Sequence, residues 1–243
     1  MNAESQAKVL ATHTPALFES AVREAAGLLR SGQVIGVPTE TVYGLAANAL
    51  DSDAVRSIFK VKGRPEHNPV IVHVAGLAMA RECASEWPEH AERLASAFWP
   101  GPLTLVVPRA EIIPDTVTAG GLTVGIRWPG HPFMQALIRE CGFPLAAPSA
   151  NPSNEVSPTR ADHVRSRLGD RIPLIVDGGA SQVGIESTVV DVTGAVARVL
   201  RPGMIHLEAL RSVVEAVAGE EGQGRGPLRS PGRLARHYSP RAR

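Results

Sequence analysis

Apolar positions along this chain switch repeatedly between a helical period and near-continuous short runs, and the switches mark out the elements. In TPALFESAVREAAGLLRSGQ (14–33), Leu17, Ala21, Val22, Ala25, Leu28 and Leu29 recur at helical spacing, and Gly32 stops the run. QVIGVPT (33–39) then predicts a buried strand. DSDAVRSIFKVKG (51–63) opens on an aspartate cap and closes near Gly63, predicting a short helix. NPVIVHVAG (68–76) predicts a strand apolar on both faces, through Val70, Ile71, Val72 and Val74. PEHAERLASAFWPG (88–101) predicts a helix closed by Pro100 and Gly101, followed by strands in PLTLVVPR (102–109) and LTVGIRWPG (122–130).

HPFMQALIRECG (131–142) predicts a helix with a glycine stop, and FPLAAPSAN (143–151) a strand running into a polar loop. TRADHVRSRLGD (159–170) predicts a helix capped by Thr159. IPLIVDGG, ESTVVDVTG and AVARVLRPG complete the strands, the last two as a hairpin turning at Thr193-Gly194. Strands and helices mixed in this order predict an α/β domain with a twisted, mixed sheet. The predicted layout is an N-terminal tail at 1–12, a main α/β domain at 13–218 and a linker or lid at 219–243. Residues 222–243 carry six arginines, four glycines, three prolines and no acidic residue, a composition that cannot build a core.

Composition narrows the function classes. The 243 residues are 44% hydrophobic with a formal charge of +1, which argues against a highly basic nucleic-acid wrapper. The two cysteines, Cys83 and Cys141, form no CxxC pair, which fits a reducing, cytoplasmic setting. No histidine pair has zinc-site spacing, so no metal ligand is assigned. The stretch MNAESQAKVLATHT shows no secretory h-region, and no apolar run approaches the roughly 20 residues of a membrane helix. P-loop, Rossmann and GxSxG signatures are missing from the sequence.

Polar clusters stand out where the apolar strands end. They are Thr39, Glu40, Thr41 and Tyr43; then Lys60, Lys62, Arg64 and Asn68; then His73. Further along come Thr123 and Arg127, which a separation of four puts on one side of a strand. Ser149, Asn151, Ser153, Asn154 and Ser157 follow, then Glu186, Ser187 and Thr188, and finally Arg201. Each alone reads as well as a turn, a cap or a solvated charge. Together, cations and hydroxyls at strand ends suit phosphate and carboxylate groups. The role of Glu40 stays open: it could hold an arginine or accept from a substrate ammonium or hydroxyl.

Seven stretches in this order, PTETVYGL, KGRPEHNP, FWPGPLTLV, VGIRWP, APSAN, ESTVVD and LRPG, resemble the YrdC/Sua5 family of threonylcarbamoyl-AMP synthases over roughly residues 33–203. SPGRLARHYSP (230–240) is similar to the linker of the longer Sua5 type, in which a further domain follows, whereas this sequence stops at Arg243. The resemblance implies a YrdC-like open mixed sheet with flanking helices and a large concave, positively charged cavity. It implies an enzyme that joins L-threonine, bicarbonate and ATP into L-threonylcarbamoyladenylate and pyrophosphate, for t6A modification at tRNA position 37. Mg2+ is expected on the phosphates, and a downstream threonylcarbamoyl transferase complex and a tRNA or RNA contact are the expected partners.

Carried over by residue, Thr41, His73, Arg127, Ala147 and Ser187 would bind L-threonine. Where the family often has threonine, Ala147 offers only main-chain groups. ATP would take Arg64, Asn68, Thr123, Ser149, Asn151, Ser157, Arg201 and Tyr238, the last as a lid, and Lys62 and Arg64 would be catalytic. Tyr43, Lys62 and Asn151 would line the cavity. The competing reading is an RNA-binding YrdC-like protein without catalysis. A hydrogenase-maturation carbamoyl transferase fits less well, because such chains carry cysteine-rich zinc modules.

Overall fold

The computed structural model describes residues 6–65 and 67–219. From the N-terminus these form β1 (Lys8–Ala11), α1 (Pro15–Arg30), β2 (Ile35–Val37), β3 (Gly44–Asn48), α2 (Ser52–Lys62) and β4 (Val72–His73). Next come α3 (Leu77–Glu82), α4 (Glu89–Phe98), β5 (Leu103–Pro108), α5 (Asp115–Thr118), β6 (Thr123–Arg127) and α6 (Pro132–Cys141). The remainder is β7 (Leu145–Ala146), α7 (Ala161–Leu168), β8 (Leu174–Asp177), β9 (Thr188–Asp191), β10 (Ala197–Arg201), α8 (Leu207–Arg211) and β11 (Ala216–Ala218).

The strands form one open, mixed sheet in the order β1-β8-β2-β3-β7-β4-β6-β5-β9-β10-β11. The β4–β6 and β5–β9 pairs are parallel, while β2–β3, β3–β7, β4–β7, β5–β6 and β9–β10 are antiparallel. The expected β9–β10 hairpin is present, its turn held by Thr193, whose N–H and hydroxyl both donate to Asp191. β1 falls within the stretch read as an N-terminal tail and pairs with β8 from Lys8↔Leu174 to Ala11↔Asp177.

Helix ends follow local chemistry. Asp51 accepts the Asp53 and Ala54 N–H groups at 2.9 and 3.2 Å, and Gly63 closes α2 in the left-handed region at φ 59°. The expected Thr159 cap is corrected: α7 starts at Ala161, so Arg160, with φ −145°, occupies the cap position without a side-chain bond. Two apolar layers cover the sheet. Leu29 of α1 and Phe133 and Leu137 of α6 pack with Ile35, Val37, Ala46 and Leu174. Ile58 of α2, Leu94 of α4 and Val164 of α7 pack with Leu45, Ala47, Leu105 and Ile175. Alternation within β3 and β8 thus sends successive side chains to opposite layers. Among the described residues, no helix is long and apolar enough to cross a membrane.

Candidate active site

A cleft opens beside the middle strands, lined by Thr39, Thr41, Arg64, His73, Arg127, Ala147, Ser149, Glu186 and Arg201, with about 470 Å³ of empty space including open solvent. Its polar residues sit on a face of the sheet as well as at strand ends. His73 and Arg127 are register partners on β4 and β6, and a side chain added at Gly125 would meet Thr104 and Ile71. A second hollow, lined by Arg56, Phe59, His67, Asp115, Thr116 and Ala119, contains none of the predicted site residues.

One end of the cleft centres on Arg127, which is 3% exposed. Its Nη1 donates to Thr41 Oγ1 at 2.9 Å and its Nε to the Gly101 carbonyl at 3.2 Å. Its Nη2 lies 2.7 Å from Glu40 Oε1, and that oxygen also accepts the Gly130 N–H at 2.9 Å. Nη2 is buried and makes no hydrogen bond, so its approach to Glu40 is an ion contact, while Nη1 keeps one N–H beyond its bond to Thr41. Burial raises the Glu40 pKa, but the Arg127 charge and the Gly130 N–H outweigh it and hold the carboxyl below its ordinary value. Burial first, then Arg127, pushes His73 down to about 3, so the imidazole is neutral, and its buried Nδ1 has no hydrogen-bond partner. Thr39 fixes the turn that presents Thr41, accepting the Thr41 and Val42 N–H groups and donating to the Val42 carbonyl at 2.6 Å.

The other end gathers the phosphate-type residues. Arg64 donates to the Asn68 and Pro69 carbonyls at 3.1 and 2.7 Å, folding its loop back on itself. Arg201 donates to Ser187 Oγ at 3.0 Å and to the Ser187 carbonyl at 3.1 Å, and Ser187 Oγ meets Thr104 Oγ1 at 2.8 Å. Ser157 donates to Glu186 Oε1 at 2.9 Å, and Arg201 lies 3.7 Å from Glu186 Oε2. Burial raises the Glu186 pKa, but Arg201, Ser157, Lys62 and Ser149 bring it below its ordinary value. Gly203 allows this packing, because a Cβ there would lie 2.5 Å from the Thr188 nitrogen and 2.7 Å from the Glu186 carbonyl.

Several placements differ from expectation. Lys62 was expected on the cleft wall, but its Nζ reaches behind the wall to the Ser149 and Asn151 carbonyls and to Asn151 Oδ1. Burial, then Arg64, brings its pKa down to about 7. Asn151 also faces inward, donating to the Pro152 and Glu155 carbonyls. Tyr43 is fully buried: its hydroxyl donates to the Gly179 carbonyl at 2.7 Å and accepts the Gly178 N–H at 3.2 Å. It ties the β2–β3 turn to the end of β8 and does not line the cleft. Ala147 spends its N–H on the Ile71 carbonyl, leaving its own carbonyl to the cleft.

Thr123 sits roughly 13 Å along β6 from Arg127, four residues at strand rise. Carried back from the His73–Arg127 pair, the β4–β6 register puts it level with Pro69, on the Arg64 side. Tyr238 lies outside the described residues. Glu186 was noted in sequence but given no role. Its signal was a lone carboxylate at the start of ESTVVD, beside two hydroxyls.

Comparison with known proteins places these features. A family model named Sua5, yciO and yrdC, described as telomere recombination, matches residues 27–203. The threonylcarbamoyl-AMP synthase of Pyrococcus abyssi is 46% identical over 224 residues, covering 91% of this chain and 66% of that protein. The Bacillus subtilis threonylcarbamoyl-AMP synthase is 46% identical over 225 residues, covering 91% and 65%. The chain thus spans just under two thirds of the length of these curated relatives. A crystal structure of P. abyssi Sua5 complexed with L-threonine superposes with a TM-score of 0.88 at 43% identity, covering 96% of this chain and 68% of that one.

Proposed function

The chain belongs to the Sua5, YciO and YrdC family, and we propose that it is an L-threonylcarbamoyladenylate synthase. It joins L-threonine, bicarbonate and ATP into threonylcarbamoyl-AMP and pyrophosphate, for t6A modification of tRNA. The observation that carries this reading is the pairing, in one cleft, of a buried arginine–hydroxyl–imidazole cluster with a cation-rich cluster at the other end.

At the first end, the Arg127 guanidinium takes the threonine carboxylate, beside Thr41 and the Ala147 carbonyl. The neutral His73 offers the lone pair of Nδ1 to the ammonium or hydroxyl. At the other end, Arg64, Arg201, Ser149, Ser157, Asn68 and Thr123 receive the nucleotide, in the part of the cleft where the family resemblance implies a large, concave, positive cavity. The threonine amine, once deprotonated, attacks the carbon of bicarbonate and water leaves. A carbamate oxygen then attacks the α-phosphorus and pyrophosphate departs. No protein nucleophile is needed; positioning and charge stabilisation lower the barrier.

No group of three or more His, Cys, Asp or Glu residues that could hold a metal ion occurs among the described residues. A Mg2+ ion brought in on ATP would be held by phosphate oxygens and could take Glu186 as a carboxylate partner, and it would neutralise phosphate charge. Ser187, expected at the threonine site, is bonded to Arg201 and so belongs with the nucleotide end. Lys62 and Asn151 act through the loop they brace. Tyr238 as a lid, delivery to a transferase complex, a tRNA contact and a cytoplasmic location complete the proposal.

Pyrophosphate release from ATP tests it. Release requiring both L-threonine and bicarbonate, and lost in Arg64→Ala, is expected. Threonine-independent release would overturn the synthase reading, and no release alongside salt-dependent RNA binding would favour the non-catalytic one.

A further inference from the structure

Glu40 is the charged residue of the PTETVYGL motif that the proposed reaction does not use. It lies behind Arg127, away from the cleft lining, with 10% of its side chain exposed. Arg127 has two anchors besides Glu40, the Gly101 carbonyl and Thr41 Oγ1. What Glu40 adds beyond those anchors is charge. The other ionisable groups nearby are His73 and the half-buried His131, and burial lowers both imidazoles. Among the described residues the Arg127 end therefore pairs one cation with one anion, whereas at the other end Lys62 and Arg201 both act on Glu186, with Arg64 beside Lys62.

We propose that Glu40 determines which class of substrate this end accepts. As the buried counter-ion of Arg127 it keeps the pocket electrically neutral. The pocket then takes a zwitterionic α-amino acid and rejects an anion of the same shape that lacks the amine. This rests on the reading that the Arg127 end binds an amino acid.

The physics is a difference of two Coulomb terms. The Glu40 carboxylate repels the incoming carboxylate and attracts the incoming ammonium. For a zwitterion the two nearly cancel, and for a plain carboxylate only the repulsion acts. In a half-buried site a unit charge several ångströms away changes affinity by roughly ten- to a hundredfold. The same repulsion keeps polyphosphate from settling on Arg127 and leaves it to the Arg64 and Arg201 end.

The test is equilibrium binding of L-threonine and of 3-hydroxybutyrate, which is threonine without its amine, to the wild-type protein and to Glu40→Gln. Wild type is expected to prefer threonine by about a hundredfold or more. In Glu40→Gln the preference should fall at least about tenfold, through tighter 3-hydroxybutyrate binding. An unchanged ratio, with both ligands weakened alike, would mean that Glu40 only supports the fold and would overturn the proposal. If Glu40→Gln does not fold, Glu40→Asp keeps the charge on a shorter side chain and leaves Arg127 in place. There the preference should stay within a few-fold of wild type, and its loss with the charge kept would overturn the proposal. Wild type binding neither ligand would overturn the amino-acid reading of the site itself, a different outcome from threonine binding with an unmoved ratio.

Discussion

Two arginine–glutamate pairs stand at opposite ends of one cleft and are built differently. Arg127 and Glu40 lie 2.7 Å apart, and the arginine has two further anchors. Arg201 and Glu186 lie 3.7 Å apart, are more exposed, and share their surroundings with Lys62, Arg64 and the Ser157 hydroxyl. The first is a close ion pair in a fixed frame, although Glu40 Oε2 and Arg127 Nη2 are buried without a hydrogen-bond partner. The second is looser, its glutamate held also by Ser157 and its arginine also by Ser187. A small zwitterion suits the first. A polyanion that supplies its own charge, with or without a divalent cation, suits the second.

The largest expected effect breaks the tight pair. Arg127→Ala leaves the Glu40 carboxylate buried without its counter-ion, which should cost about 3–5 kcal/mol of folding stability. Threonine affinity should fall by about 1.5–3 kcal/mol more, the loss of a charge-assisted contact, with nucleotide affinity nearly unchanged. Denaturant midpoints and separate titrations of the two ligands check this. Equal losses for both ligands would mean that the two ends are one site.

Much of this division was legible in the sequence, and the illegible part has physical causes. Asp51 and Gly63 announced α2 because caps are local chemistry, and His73 and Arg127 sat in apolar stretches where polar residues stand out, while Thr41 sat in a polar cluster at a strand end. β3 escaped notice because GLAAN has no β-branched or aromatic residue and follows a polar turn. Tyr43 and Lys62 were misplaced toward the cleft for another reason. Each side chain is satisfied by backbone far away in sequence, Tyr43 at Gly178 and Gly179, and Lys62 at Ser149 and Asn151. No periodicity encodes a contact across some ninety residues or more. Glu40 was undecided between an arginine and a substrate, and only the β4–β6 register and the Gly130 turn settle it on Arg127.

The ends should also differ in their response to pH. His73, pushed down to about 3, contributes no titration to the Arg127 end above neutrality. Lys62, brought down to about 7, does contribute to the other end. Above pH 7 the unfolded chain keeps the Lys62 proton while the folded chain sheds it. Stability should therefore rise with pH, by up to about 1.4 kcal/mol per unit. Below pH 7 both states hold the proton and this contribution is flat. The window closes near pH 9, where Cys83 and Cys141, whose thiols burial pushes up to about 12 and 11, begin to act in the opposite sense. Denaturation from pH 7 to 8.5 should show the slope in wild type and not in Lys62→Met.

The smallest change probes whether the looser pair answers to its neighbours. Ser157 gives Glu186 Oε1 a hydrogen bond at 2.9 Å, which holds the carboxylate away from full contact with Arg201. Ser157→Ala removes that restraint, so Glu186 should close on Arg201 and compete more strongly with a phosphate for the guanidinium. Nucleotide affinity should fall by about 1 kcal/mol, roughly fivefold, with threonine affinity unmoved, because the Arg127–Glu40 unit shares no partner with Ser157. Titration of ATP and threonine separately against this variant reads both numbers. A fivefold loss in threonine affinity as well would show that Ser187, which bonds Arg201 and lies beside Thr104 on the sheet face, couples the two ends. The neutral pair would then be tuned by the charged one instead of standing apart from it.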